Sequence, residues 1–165
     1  MKLHIITTGG TIDKIYFDAK SDYQVGEPVI SELLSSMGAT LDYSVESAMR
    51  KDSLDLTAED RHRIRELAAS CASDRVLITH GTDGMVETGK ALADLPGKTI
   101  VLTGALQPAA FKSSDAIFNI GCAIGALQIA AAGVFIAMNG RLFPIDNVRK
   151  NMELNRFEAL REAPR

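Results

Sequence analysis

The sequence predicts an α/β fold: a mostly parallel, doubly wound sheet of the Rossmann or flavodoxin kind, flanked by helices, with a C-terminal β-hairpin. Three observations point there. Short apolar runs recur at Lys2–Thr8, Arg75–Thr79, Thr99–Thr103 and Val134–Met138, in the length range of strands. Stretches with helical spacing separate the later runs, and buried strands joined through helices are parallel neighbours, because a parallel pair needs a long crossover connection. Asn139-Gly140 then supplies a two-residue hairpin turn between Val134–Met138 and Arg141–Ile145.

In chain order, Lys2–Thr8 is a strand ended by Gly9-Gly10, and Leu41–Val45 alternates in character as a second strand, with a long polar loop between them. Thr57–Ala72 places Ile64, Leu67, Ala68 and Cys71 at helical spacing and opens with Thr57 and Asp60 as a capping box. Arg75–Thr79 is continuously apolar after its first residue, as expected for a strand covered on both faces. A helix follows over Gly84–Leu95 and stops at Pro96-Gly97; Thr99–Thr103 repeats the strand pattern. Ser113–Ala132 reads as a long helix with Asp115 as a cap, and the last fifteen residues read as polar and weakly helical. Residues 116–140 carry no charge, which is the length of a membrane span, but Asn119, Gln128 and glycines at 121, 125 and 133 divide them into a buried helix and a strand.

A chain of 165 residues suits a single domain over 1–165 with one core and no need of disulfides or a structural metal. With 46% hydrophobic and 24% charged residues it has the balance of a globular protein. The net charge of −3 and the lack of a basic run argue against a nucleic-acid partner, and no membrane partner is expected. The start turns polar after two isoleucines, too short for a signal-peptide core, so the expected location is cytoplasmic. Cys71 and Cys122, far apart in apolar patterns, read as packing residues, and His4 and His62 offer no metal-ligand spacing.

In open parallel sheets the ligand crevice lies at the carboxyl ends of the strands. Four such ends carry Thr7-Thr8-Gly9-Gly10-Thr11, Ser53 with Asp55, Thr79-His80-Gly81-Thr82-Asp83, and Thr103-Gly104-Ala105. Hydroxyls, carboxylates and glycine amides gathered on one edge suit acyl chemistry, since backbone N–H groups can stabilise a developing negative charge. A threonine hydroxyl attacks only when a neighbour takes its proton, so Thr11 or Thr82 needs a base, for which Tyr23 and Lys150 are the candidates. Each cluster alone has a plainer reading: Gly9-Gly10-Thr11 as a turn, Thr82-Asp83 as a helix cap, His80 as a histidine bonded to backbone. Gly9-Gly10 fits neither nucleotide-binding glycine spacing.

Together the clusters are more specific. Thr-Thr-Gly-Gly-Thr-Ile at 7–12 and Ile-Thr-His-Gly-Thr-Asp-Gly-Met at 78–85 resemble the two signature motifs of the bacterial-type L-asparaginase family. Ser-Asp-Tyr-Gln-Val-Gly at 21–26 looks like its flexible active-site loop, Asp52–Leu56 like its substrate-carboxylate loop, and Val148-Arg149-Lys150 like the segment with its catalytic lysine. The resemblance implies an amidohydrolase acting on a small-molecule amide, L-asparagine foremost, with Thr11 as the acylated nucleophile and Tyr23 closing over it. Thr82, Lys150 and Asp83 form the second group: lysine and threonine relay protons, and Asp83 binds the substrate's α-amino group. Ser53 holds the α-carboxylate; Gly10, Leu54 and Ala105 complete the binding set. No metal or organic cofactor is implied.

The resemblance also implies a homo-oligomer, a dimer or tetramer, because members of the family are about twice as long and complete the site from a neighbouring subunit; set against that length, residues 1–165 are expected to correspond to the catalytic domain alone, with the family's second domain absent. Leu54 stands where a polar side chain is common, Asp13 where a small residue is usual, and Gly84 where threonine is usual. The rival expectations are a glutaminase or broader amidase, and a non-catalytic aspartate- or asparagine-binding module.

Overall fold

The computed structural model describes residues 1–17 and 22–161. Its centre is a six-stranded sheet of β1 (Lys2–Gly9), β4 (Asp42–Lys51), β5 (Arg75–Thr79), β6 (Thr99–Thr103), β7 (Gly133–Met138) and β8 (Arg141–Pro144). The order is β4-β1-β5-β6-β7-β8; the first five strands run parallel and β8 returns antiparallel to β7. Outside it lie two small hairpins, β2 (Lys14–Phe17) with β3 (Asp22–Val25), and β9 (Arg149–Asn151) with β10 (Arg156–Glu158). The predicted mostly parallel α/β sheet is present, and so is the predicted C-terminal hairpin, in which Asn139-Gly140 turns β7 into antiparallel β8.

Period-two alternation in the central strands feeds two cores. One side chain set, Val76, Ile78, Ile100, Leu102 and Ile136, packs with Ile64 and Ala68 of α2 (Ala58–Ser70) and Met85 of α3 (Met85–Ala91). The other, Leu3, Ile5, Leu77 and Val101, packs with Ile30 and Leu34 of α1 (Ile30–Ser36) and Ile120, Ala123 and Leu127 of α4 (Ala116–Ile129). Each fully buried branched aliphatic contributes about 1.5–3 kcal/mol, so the doubly wound arrangement follows from strands that are apolar on both faces. No helix among the described residues is long and apolar enough to cross a membrane.

Several expectations need correction. The long polar loop after β1 holds the β2–β3 hairpin and α1; these strands have four residues each and α1 only seven, too few for periodicity to stand out. The strand expected at Leu41–Val45 runs over Asp42–Lys51, because its edge keeps pairing with β1 as far as Gly9↔Lys51 although its later side chains are mostly polar. The helices expected over Gly84–Leu95 and Ser113–Ala132 contract to α3 and α4. Asp115 does precede α4, but its carboxylate accepts the N–H groups of Leu106 and Gln107 instead of capping the helix. The tail expected to be weakly helical forms β9–β10, with Phe157 buried and its N–H bonded to Asn139. The capping box of Thr57 and Asp60 and the left-handed Asn139-Gly140 turn are as expected.

The strand order reverses at β1: the chain first reaches β4 on one side of it, then crosses by α2 to β5 on the other. Between the carboxyl ends of β1 and β5 this opens the crevice that such sheets offer to ligands.

Candidate active site

Thr11 leaves β1 in a 3₁₀ turn, Thr11–Asp13, entered through Gly9 and Gly10 at φ of 94° and 87°. Gly10 packs on the neighbouring strand end so closely that a Cβ there would lie 2.4 Å from the Gly81 nitrogen. The turns carrying Thr11 and Thr82 are therefore in direct contact. Gly10→Ala adds both a strained φ and a backbone clash; we expect a loss of about 2–4 kcal/mol in a denaturant melt.

Across the contact, Lys150 reaches in from β9. Its Nζ donates to Thr82 Oγ1 at 2.8 Å and pairs with the Asp83 carboxylate, and its side chain is 8% exposed. Ser53 sits in a second 3₁₀ turn, Ser53–Asp55, whose N-cap Asp52 accepts the Leu54 N–H. The Ser53 hydroxyl is buried and accepts the Gly84 N–H at 3.1 Å. A Cβ on Gly84 would meet the Ser53 carbonyl at 2.7 Å, which accounts for glycine at that position.

His80 is fully buried between these turns. Its Nδ1 donates to the Gly81 carbonyl at 2.7 Å, and Nε2 therefore accepts the Thr88 hydroxyl at 2.8 Å. Burial pushes its pKa down to about 4, so it stays neutral and acts as a brace for the Gly81–Thr82 turn.

The Thr11 hydroxyl makes no hydrogen bond among the described residues. It opens into a cleft of about 410 Å³ lined by Thr11, Lys14, Asp22, Tyr23, Pro108 and Phe111. Tyr23 stands in β3 and is 44% exposed. Of the other expected residues, Ala105 is buried at the end of β6 and can offer a ligand only its backbone, whereas Leu54 is 74% exposed and outside the cleft wall. Ser21 of the expected active-site loop lies outside the described residues.

Sequence reading did not single out Lys14, Pro108 or Phe111 as cleft residues. Lys14 pairs with Asp52 at 2.8 Å and holds that carboxyl below its usual range, tying β2 to the Ser53 turn. The available signal was an aromatic residue, Phe111, among small and polar neighbours just after a strand end. A groove of similar volume between α1 and α4, lined by residues such as Leu33, Ile117 and Ile124, is apolar and has no reactive side chain. No group of three or more potential metal ligands occurs among the described residues.

Asp13 closes the Thr11 turn. It is 2% exposed; one carboxyl oxygen accepts the Val29 N–H at 3.0 Å and the other has no partner among the described residues. Burial raises its pKa from 3.8 to about 6, against the Val29 hydrogen bond and the positive charge of Arg50. A raised folded-state value means that its contribution to stability is complete below pH 3.8 and is lost as pH rises through 6. Asp13→Asn should thus be more stable than wild type by up to about 3 kcal/mol at pH 7.5, with the difference vanishing below about pH 4, in paired urea melts.

The family profile described as Asparaginase, N-terminal, matches residues 2–164. The chain belongs to the asparaginase family. Among its relatives, a probable periplasmic L-asparaginase of Haemophilus influenzae is 33% identical over 161 residues, covering 88% of this chain and 45% of the relative. A glutaminase-asparaginase of Pseudomonas fluorescens is 29% identical, over 84% of this chain and 42% of its own length. The solved thermostable L-asparaginase of Thermococcus kodakarensis superposes with a TM-score of 0.84 at 25% identity, over 99% of this chain and 52% of the other. This asparaginase-family chain thus spans about half the length of the relatives it matches.

Proposed function

We propose that the chain hydrolyses L-asparagine to L-aspartate and ammonia through an acyl-enzyme on Thr11. One observation carries the reading: Lys150 bonds to Thr82 and Asp83, whose turn touches the turn bearing an unbonded Thr11. In the first step Thr11 Oγ1 bonds to the side-chain amide carbon, the C–N bond breaks, and ammonia leaves with a proton. Backbone N–H groups at the glycine-rich turns stabilise the transient oxyanion, and Tyr23 covers the cleft. In the second step water, oriented through Thr82 and Lys150, cleaves the ester and returns the proton to Thr11. Asp83 engages the α-ammonium and Ser53 the α-carboxylate; Gly10 and Ala105 contribute through their main chain, and Leu54 flanks the carboxylate turn.

The name of the Pseudomonas relative favours glutamine as a second substrate. Ammonia release from asparagine and glutamine, measured side by side on the purified chain, decides between them. Release from asparagine supports the proposal, and release from glutamine alone replaces it. Inertness toward both, with aspartate binding by calorimetry, makes the chain an amino-acid-binding module.

The cleft walls are half-exposed at Tyr23 and Phe111, which would leave a charged transition state wet, so we propose that a second copy covers them in a dimer or tetramer. Light scattering should show an oligomer, and a monomer with full turnover would contradict it. Two free thiols, Cys71 and Cys122, suit a reducing compartment and a cytoplasmic location.

A further inference from the structure

We propose that Phe111 is a positioning residue: its ring, set in a rigid turn beside the cleft, holds the Tyr23 ring at Thr11, with Tyr16 completing the clamp. The proposal deepens the reading above and rests on it for the role of Tyr23.

The β2–β3 hairpin pairs only with itself, and a two-stranded ribbon is marginal in water unless it packs on something. Its base is tied down four times. The Gly26 N–H donates to the Asp13 carbonyl at 2.8 Å and the Val29 N–H to the Asp13 carboxyl, while Lys14 pairs with Asp52 and Arg50 with Glu27. None of these ties reaches the ring of Tyr23.

That ring meets Tyr16, its cross-strand partner, at 5.5 Å between centroids and 64° between planes. It meets Phe111 at 5.9 Å and 69°, the edge-to-face arrangement that the aromatic quadrupole favours. Phe111 is the aromatic side chain that links the hairpin to the body of the domain among the described residues.

The turn that carries Phe111 is fixed. Ala109 N–H donates to the Ile12 carbonyl at 3.1 Å, one residue from the nucleophile, and Phe111 itself is held by the Phe111 N–H to Pro108 and Ser114 N–H to Phe111 bonds, both 3.0 Å. The Asp115 carboxylate gathers the Leu106 and Gln107 N–H groups at 2.9 and 3.1 Å. Phe111 and Thr11 thus move as one unit, and the hairpin is the part that must be brought to register. Leaving Phe111 39% exposed loses some burial, which a ring needed only as filler would avoid.

The test has two arms. Phe111→Ala should lower kcat/KM about tenfold, mostly in kcat, with Phe111→Tyr near wild type and Phe111→Leu well below it. In Tyr23→Phe background the Phe111→Ala effect should shrink to less than about twofold, since both act through one phenol. Equal activity of the Leu and Phe proteins, or full additivity with Tyr23→Phe, would overturn the clamp. The second arm needs no turnover: with ¹³C-labelled tyrosine, the ring signals assigned to Tyr23 through Tyr23→Phe should lose their ring-current shift in Phe111→Ala. Unmoved Tyr23 signals overturn the clamp whatever the kinetics. A wild type inert toward amides that still shows the shift refutes the proposed hydrolysis while upholding the clamp.

Discussion

Thr11→Ala should release ammonia from asparagine at least about a thousandfold more slowly than wild type, with aspartate affinity and unfolding midpoint nearly unchanged. The asymmetry follows from where the hydroxyl sits. Thr11 Oγ1 makes no hydrogen bond among the described residues, and the side chain is only partly buried, so its loss leaves no unpaired group and a small cavity at most. Ser53 and Asp83, which we assign to substrate charge, stand on other turns and remain in place. If the alanine protein keeps its rate, Thr11 is not the nucleophile and Thr82 becomes the candidate.

Lys150→Met should lower turnover by about a thousandfold and, unlike Thr11→Ala, should also destabilise the fold by about 1–3 kcal/mol. The Met side chain keeps most of the lysine stem's packing but removes the donor that serves Thr82 and Asp83 together. Asp83 is then a partly buried carboxylate without its cation, at 29% side-chain exposure, which softens the penalty relative to a fully buried ion. A denaturant melt and steady-state kinetics on the same preparation separate the two effects. A Met protein that is destabilised yet fully active would make Lys150 a purely structural partner of Asp83.

Much of this layout is legible in the sequence because the physics behind it is local. Arg75–Thr79 and Thr99–Thr103 are read to the residue, since a central parallel strand must be apolar on both faces and stops where the chain turns polar. The same logic places Thr11, Thr82 and Ser53 at one edge before any coordinates. What escapes is structure sustained by distant contacts. β9 and β10 have three residues each and are held by Phe157 dropping into the core and by Asn139. The β2–β3 hairpin has no alternation strong enough to mark it, because only its rings and its ties to Asp13 and Asp52 give it a place.

The site shows the same division. Motifs at 7–12 and 78–85 identify the hydroxyls, but nothing in their spacing says that Lys150 meets Thr82 from a three-residue strand. That pairing is set by tertiary packing: the need of a threonine for a base makes Lys150 a candidate, and the family resemblance assigns it to Thr82. Phe111 and Lys14 stay hidden for a different reason: a loop aromatic and a surface lysine are common, and they acquire meaning only from the cleft they line.

The central claim is a covalent bond to one oxygen. Protein quenched in acid during asparagine turnover and digested with trypsin should show an aspartyl group added to the Leu3–Lys14 peptide, located at Thr11 by fragmentation and missing from Thr11→Ala. An adduct on the Val76–Lys90 peptide instead, or turnover with no adduct even in a variant slowed in deacylation such as Lys150→Met, would contradict it.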